Sequence, residues 1–119
     1  MTYVDGFLLV VKKKNIKAYT KMAHQGGKIW KKHGALRYLE CIGDDLQPKF
    51  IKLTFPKLVK LKPNETVWYS FIVYKNKAHR NKVNAQVMKD PKMNDFKEPM
   101  PFDFNKMSCA GFKAIVDLQ

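Results

Sequence analysis

The sequence predicts an α+β fold whose elements follow one another in the order β-α-β-β-α-β. Tyr3–Val11 and Val67–Tyr74 are apolar stretches rich in β-branched and aromatic residues, which is typical of buried strands. Ile16–His33 repeats apolar residues at spacings of three and four, which is typical of a helix. A chain of 119 residues with this order is predicted to form one domain over residues 1–119.

The first helix is predicted to begin after Lys12–Lys14, with Asn15 as its N-cap and Gly34 as the residue that follows its end. Two glycines, Gly26 and Gly27, lie inside it, and each costs about 1 kcal/mol relative to alanine in a helix. We therefore expect a close approach of the helix backbone or a bend there. One apolar stripe of this helix comprises Ile16, Tyr19, Ala23, Gly26 and Trp30.

The second strand is predicted over Ala35–Gly43, where side chains alternate between two faces. Leu46–Thr66 is predicted to contain a short strand or a helical turn over one edge of the sheet. The later elements are predicted as a strand at Val67–Tyr74, a helix at Lys77–Lys89, a short helix at Pro91–Phe96 capped by Asp90, an extended connector at Glu98–Asp103 and a strand at Met107–Leu118.

This order indicates the ferredoxin-like arrangement, an antiparallel sheet of strand order 4-1-3-2 with both helices on one face. All four predicted strands are apolar on both faces, so the uncovered face needs a partner, and we expect a closed homodimer. Cys41 and Cys109 would lie on opposite edge strands, too far apart for an intrachain disulfide.

The net charge of +13 is the most unusual feature of the composition. Only Arg37 and Arg80 are arginines, and the other 21 basic residues are lysines, which read bases and phosphates less specifically than arginine does. The charge therefore indicates either a solubilising surface or weak, non-specific polyanion binding. The candidate anion-binding residues lie on one side of the first helix: Lys17, Lys21, Lys28 and Lys32.

Several classes of function find no support in the sequence. The longest apolar run, Phe7–Val11, is too short to cross a membrane, and no signal peptide is recognisable, so a cytoplasmic location is expected. Histidines and cysteines lack metal-ligand spacing, so we expect no metal. A glycine-rich phosphate loop and a nucleophile elbow are also missing, and we expect no cofactor.

Four residues are candidates for a pocket: Asp5, Glu40, Trp68 and His79. Glu40 stands in the middle of an apolar strand, where it is either half of a structural ion pair or an acid or base in a cleft. Asp5 raises the same question in the first strand. His79 is predicted to be a structural histidine or a proton-transfer group, and Trp68 to be core or pocket wall.

A set of short motifs resembles the YbaA-like family, a bacterial family of unknown function in the dimeric α/β-barrel superfamily. The motifs are Tyr3–Phe7, Gly34–Arg37 with Glu40–Cys41 and Gly43–Asp45, Asp90–Met93, Met100–Asp103, Lys106–Met107 and Gly111–Phe112. The resemblance covers nearly the whole chain and implies a ferredoxin-like subunit that pairs into a dimeric α/β barrel. It implies no established activity and no catalytic residue.

Other proteins of that superfamily include cofactor-free monooxygenases, haem-dependent enzymes and small-ligand or regulatory modules, which is an analogy of fold alone. The sequence therefore favours a homodimeric small-molecule-binding protein or cofactor-free enzyme that uses a cleft of the barrel. The alternative is a non-catalytic dimeric module that binds acidic partners, such as nucleic acid, through a lysine-rich face. Whether the protein is an enzyme stays open at this point.

Overall fold

A computed structural model describes all residues, 1–119, and contains one four-stranded antiparallel sheet of order β2-β3-β1-β4. This order is the predicted 4-1-3-2 arrangement, so the ferredoxin-like topology is confirmed. The strands are β1 (Tyr3–Lys12), β2 (Arg37–Ile42), β3 (Glu65–Tyr74) and β4 (Ser108–Lys113), and the helices are α1 (Ile16–Lys32), α2 (Phe55–Leu58) and α3 (Lys77–Lys89).

The core lies between the sheet and helices α1 and α3. The β1–β3 register sets Tyr3 opposite Tyr74 and Leu9 opposite Trp68, so these side chains share one face of the sheet. Two buried clusters form on that face, one with Val83 and Val87 of α3 and one beside the first half of α1. Their buried members are Tyr3, Ile29, Ala35, Ile72, Tyr74, Val83 and Val87, and Leu9, Val11, Tyr19, Ala23 and Trp68.

The opposite face of the sheet carries no long helix, and we call it the open sheet face. The register places on it Val4, Leu8, Leu39, Tyr69, Phe71, Val73 and Phe112. The short helix α2 covers part of it, because the Phe55 ring stacks on the Tyr69 ring with centroids 6.3 Å apart. Tyr69 and Phe112 remain 41% and 58% exposed.

The first helix begins at Ile16 with Asn15 in the N-cap position, as predicted. A 3₁₀ turn at Lys13–Asn15 precedes it, and the Asn15 side chain makes no capping hydrogen bond. Strand β3 begins at Glu65 instead of Val67, because β1 extends to Lys12 and the two residues pair. The helical turn expected within Leu46–Thr66 is confirmed as α2.

The last predicted strand begins one residue too early and ends five residues too late. Strand β4 ends at Lys113, because its partner β1 begins at Tyr3 and the Ala114 N–H already bonds the Thr2 carbonyl. The short helix after α3 is a 3₁₀ turn at Pro91–Asp95. No helix of the chain is long and apolar enough to cross a membrane.

Candidate functional site

A cleft of about 600 Å³ lies on the helix side of the sheet, between α1 and β2. Helix α1 forms one wall, β2 forms the other, and one residue of β3 closes the floor. The lining residues are Thr20, Ala23, His24, Gly27, Lys28 and Lys31 from α1, Tyr38, Glu40 and Ile42 from β2, and Trp68 from β3. The cleft thus joins Glu40 and Trp68 of the predicted pocket with Lys28 of the predicted anion-binding set.

The glycines of α1 bring the helix close to this strand. A Cβ atom on Gly27 would lie 2.8 Å from Cδ1 of the Tyr38 ring, nearer than side chains tolerate. Both glycines are buried, and Gly26 faces the Tyr38 hydroxyl at an ordinary distance of 3.6 Å. The close approach predicted from the glycine pair is therefore confirmed, and its partner is an aromatic ring.

Two tyrosine hydroxyls hold the Glu40 carboxylate. The Tyr19 hydroxyl on α1 donates to Oε1 at 3.0 Å, and the Tyr38 hydroxyl on β2 donates to Oε2 at 2.5 Å. No lysine, arginine or histidine of the chain forms an ion pair with Glu40. The structural ion pair considered from the sequence is thus wrong within one chain, because neutral hydroxyls satisfy the carboxylate instead.

These tyrosines remain donors throughout the physiological pH range. Burial raises the pKa of Tyr19 well above its ordinary value of 10.0, and the nearby Glu40 charge raises it further. Burial and the same charge raise the pKa of Tyr38 in the same direction. Because both phenols keep their protons, the polarity of the network is fixed: the hydroxyls donate and the carboxylate accepts.

Further aromatic rings pack against the two that line the cleft, Tyr38 and Trp68. Tyr19 and Trp68 meet edge to face with centroids 4.7 Å apart, and Tyr38 lies 6.3 Å from Trp30. The indole N–H of Trp68 is buried and has no acceptor among the protein atoms. An unpaired buried donor costs about 1–3 kcal/mol, which is unusual in a core residue and more frequent at sites with a function.

The predicted anion-binding lysines divide into different environments. All four are exposed on one side of α1, but only Lys28 lines the cleft. Lys32 is paired with Asp90 at 3.2 Å, whereas Lys17 and Lys21 lie outside the cleft. Lys31, which the sequence did not single out, is a second cation of the cleft and donates to the Leu36 carbonyl at 3.0 Å.

The other two pocket candidates lie elsewhere. Asp5 is buried and pairs with Arg80 at 3.1 Å, and burial raises its pKa while the Arg80 charge opposes that rise. His79 is half-buried at the start of α3, and its Nδ1 accepts from the Lys75 N–H at 3.0 Å. The structure therefore does not bring Asp5 and His79 into the cleft, and the structural interpretation of His79 fits this contact.

Tyr19 is the residue of the site that sequence reasoning missed. Its position in the apolar stripe indicated core, and the ring is indeed 4% exposed. Only the placement of α1 against β2 shows that its hydroxyl reaches Glu40. Tyr38, by contrast, follows from the alternation of the second strand, which places it on the same face as Glu40, because residues two apart on a strand share a face.

The chain brings no three histidine, cysteine, aspartate or glutamate side chains together as a metal site would require. Both cysteines are free and exposed, and β3 and β1 separate the edge strands that carry them. The titratable groups of the cleft are the Glu40 carboxylate, the phenol that donates to it from Tyr38, the His24 imidazole and the lysines Lys28 and Lys31.

Comparison with known proteins places this architecture among relatives. The family described as "Protein of unknown function (DUF1428)" matches residues 2–104. The "Uncharacterized protein YbaA" of Escherichia coli K12 is 40% identical over 117 residues, which cover 98% of this chain and 99% of that protein. YbaA of Shigella flexneri is similar to the same extent.

Among solved structures, a "dimeric ferredoxin-like protein" from an uncultured marine organism superposes with a TM-score of 0.60 at 10% identity. The match covers 99% of this chain and 100% of that one, and at this identity it shows the fold alone. The match to residues 2–104 and the 40% identity over nearly the full length determine the family. The chain belongs to the YbaA-like family of proteins of unknown function.

Proposed function

We propose that the protein is a homodimer that binds one small organic molecule per subunit in the cleft between α1 and β2. The observation that carries this proposal is the Glu40 carboxylate, held by Tyr19 and Tyr38 in a cleft of about 600 Å³. Ligand sites are typically concave, of this size, walled by apolar and aromatic groups and supplied with a few oriented polar atoms. The sequence favours either a small-molecule-binding protein or a cofactor-free enzyme, and both of these bind a small molecule in a cleft.

The packing around Glu40 supports a binding role over a purely structural one. A carboxylate with a purely structural role would accept hydrogen bonds from protein donors at most of its acceptor sites. An ionised carboxylate has about four such sites. Glu40 uses two. The remaining acceptor capacity belongs to a side chain that lines the cleft, where a ligand can use it.

The open sheet face supports the homodimer. Its aromatic and aliphatic side chains would leave a large apolar patch in contact with water, and such patches mark interaction sites. A second copy is the occupant that fits, because the face is broad and mostly apolar, with charges only at Arg37 and at the Lys12–Glu65 end, while the chain as a whole is strongly basic. The solved ferredoxin-like relative is described as dimeric.

A fragment screen by amide NMR tests the binding function. Compounds that enter the cleft should shift the amide signals of Gly27, Tyr38 and Glu40. Thr20→Trp places a ring in the cleft from an exposed position and should abolish these shifts, whereas Lys17→Trp, on the same helix but outside the cleft, should not. A diverse screen that yields no cleft shifts, or shifts that survive Thr20→Trp, would contradict the proposal.

Sedimentation equilibrium at micromolar concentration tests the dimer and should give twice the chain mass of 13.9 kDa. Phe112→Glu places a charge on the open sheet face and should produce monomers. Cys109→Glu is the matched control, because it adds the same charge to the other face of the same exposed strand. A monomeric wild-type chain, or equal effects of the two variants, would refute this part of the proposal.

A further inference from the structure

We infer that the ligand of the cleft is an organic anion that also carries a hydroxyl or N–H group, with the negative charge at Lys28 and the donor on Glu40. The inference rests on the proposed binding function and adds the chemical class of the ligand. It follows from the positions of the charged groups in the cleft and from the hydrogen bonds that those groups already make.

The Glu40 end of the cleft requires a donor. Both tyrosine hydroxyls donate to the carboxylate, and a carboxylate only accepts hydrogen bonds, so what Glu40 offers a ligand is its remaining lone pairs. A ligand ether or carboxylate placed there would find no proton to accept from Glu40. A ligand hydroxyl or N–H would complete the set of hydrogen bonds, and a bond to an ionised acceptor is stronger than a neutral one.

The α1 side of the cleft favours a negative charge. Lys28 and Lys31 line it, and Glu40 is the only carboxylate among the lining residues, so cations outnumber anions. Lys28 is exposed and takes part in no ion pair, so it is free to meet a ligand anion. Because Glu40 repels a like charge, the anionic group must lie at the lysine side, away from the carboxylate.

The apolar lining of the cleft favours a ligand with an apolar body. Tyr38 lies on one side of Glu40 along β2, and Ile42, paired with Trp68 of β3, lies on the other, so ring faces and a branched aliphatic side chain flank the carboxylate. Flat rings bury large areas against such surfaces. The cleft of about 600 Å³ is wide enough for a bicyclic molecule.

Three naphthalene compounds test the inference by calorimetry, with amide NMR to locate each one. Hydroxynaphthoate has both required groups, its methoxy ether lacks the donor, and hydroxynaphthamide lacks the charge. Wild-type protein should bind hydroxynaphthoate at least about tenfold more tightly than the ether. It should also prefer the anion to the amide, and that preference should weaken with added salt.

Variants then assign each preference to one residue. Glu40→Gln offers a donor as well as an acceptor, so the preference for hydroxyl over methoxy should fall to within about twofold. Lys28→Gln should remove the preference for the anion over the amide and leave the hydroxyl preference in place. Lys17→Gln, on the same side of α1 but outside the cleft, should change neither ratio.

The outcomes separate this inference from the function on which it rests. Equal affinity of the wild type for all three compounds, with shifts at Gly27 and Tyr38, would overturn the ligand class and leave the binding site standing. No binding by any of the three would also overturn the ligand class. A fragment screen without cleft shifts would remove the proposed function itself. Each preference is the ratio of two affinities measured with the same variant. A loss of stability in Glu40→Gln affects both affinities alike, so it does not produce the expected change in the ratio.

Discussion

Gly27 of α1 packs directly against the ring of Tyr38 on β2, with room for a hydrogen atom but not for a methyl group. The same tyrosine donates through its hydroxyl to Glu40. The absence of one side chain on the helix therefore sets the position of the ring, and the ring sets the orientation of the carboxylate. The packing of α1 on β2 and the orientation of the Glu40 carboxylate are therefore linked through these two residues.

Gly27→Ala should destabilise the fold. Its Cβ would lie 2.8 and 2.9 Å from two atoms of a ring that Glu40 holds in place, so the ring or the helix must move. Such overpacking costs about 1–3 kcal/mol, and the better helix propensity of alanine returns about 1 kcal/mol. Urea denaturation should show a net loss in the free energy of unfolding.

Gly26→Ala is the matched control for that measurement. The added methyl group would meet only the Tyr38 hydroxyl, at an ordinary 3.6 Å, so the helix-propensity gain of about 0.5–1 kcal/mol should appear as extra stability. The two neighbouring substitutions should thus have opposite signs. Equal effects at both positions would show that the contact with Tyr38 is not what constrains Gly27.

The fold could be predicted from residue patterns within each helix and strand. The candidate site could not, because it depends on distances between residues of different elements. Val83 and Val87 lie four residues apart in the predicted helix Lys77–Lys89, a spacing that puts them on one face, and both are buried. The Glu40 network depends on how α1 rests on β2, and no spacing within one element shows that Tyr19 reaches the strand. Asp5 resembled Glu40 in sequence, yet its partner Arg80 is 75 residues away along the chain.

Arg80→Met should unfold the protein more easily at neutral pH. The side chains of Asp5 and Arg80 are 9% and 21% exposed, so the substitution leaves a buried carboxylate without its cation, which costs about 3–5 kcal/mol. Asp5→Asn in the same chain removes the stranded charge and should restore part of the loss. A double variant no more stable than Arg80→Met would contradict this account.

The loss of unfolding free energy caused by Arg80→Met should also be smaller at acidic pH. Burial already raises the pKa of Asp5 above 3.8, and the loss of the Arg80 charge must raise it further. A raised pKa in the folded state favours folding at low pH, and that advantage disappears as the pH rises through the folded-state pKa. The gap in unfolding free energy between Arg80→Met and wild type should therefore narrow between pH 7 and pH 4.

Asp90 should show the opposite pH dependence. The Lys92 N–H, His33 and Lys32 all contact its carboxylate and hold the pKa of Asp90 well below 3.8. Its stabilising contribution is therefore complete above pH 3.8 and is lost as the pH falls below that value. Asp90→Asn keeps a capping side chain, so its urea midpoint should be lower than that of wild type at pH 7, with a difference that disappears in strong acid. A difference independent of pH would refute the role of the charge.

The lysines of α1 outside the cleft should bind polyanions weakly and without sequence preference. Each phosphate that a lysine neutralises releases counterions, so the binding constant should fall steeply with salt. Replacing Lys17 and Lys21 with glutamine should reduce the slope of log K against log salt by about 2 and leave binding of hydroxynaphthoate unchanged. Fluorescence titration with duplexes of different sequence measures the salt slope and any sequence preference, and calorimetry measures the binding of hydroxynaphthoate.

A sequence preference in that titration would need contacts to base edges, which lysines on an exposed helix supply poorly compared with arginine. Arg80 is engaged with Asp5, which leaves Arg37 as the only arginine without an ion pair. Equal affinities across sequences, nearly gone at salt somewhat above physiological strength, are therefore expected. A large preference for one duplex that survives high salt would contradict this prediction and would place polyanion recognition ahead of small-molecule binding.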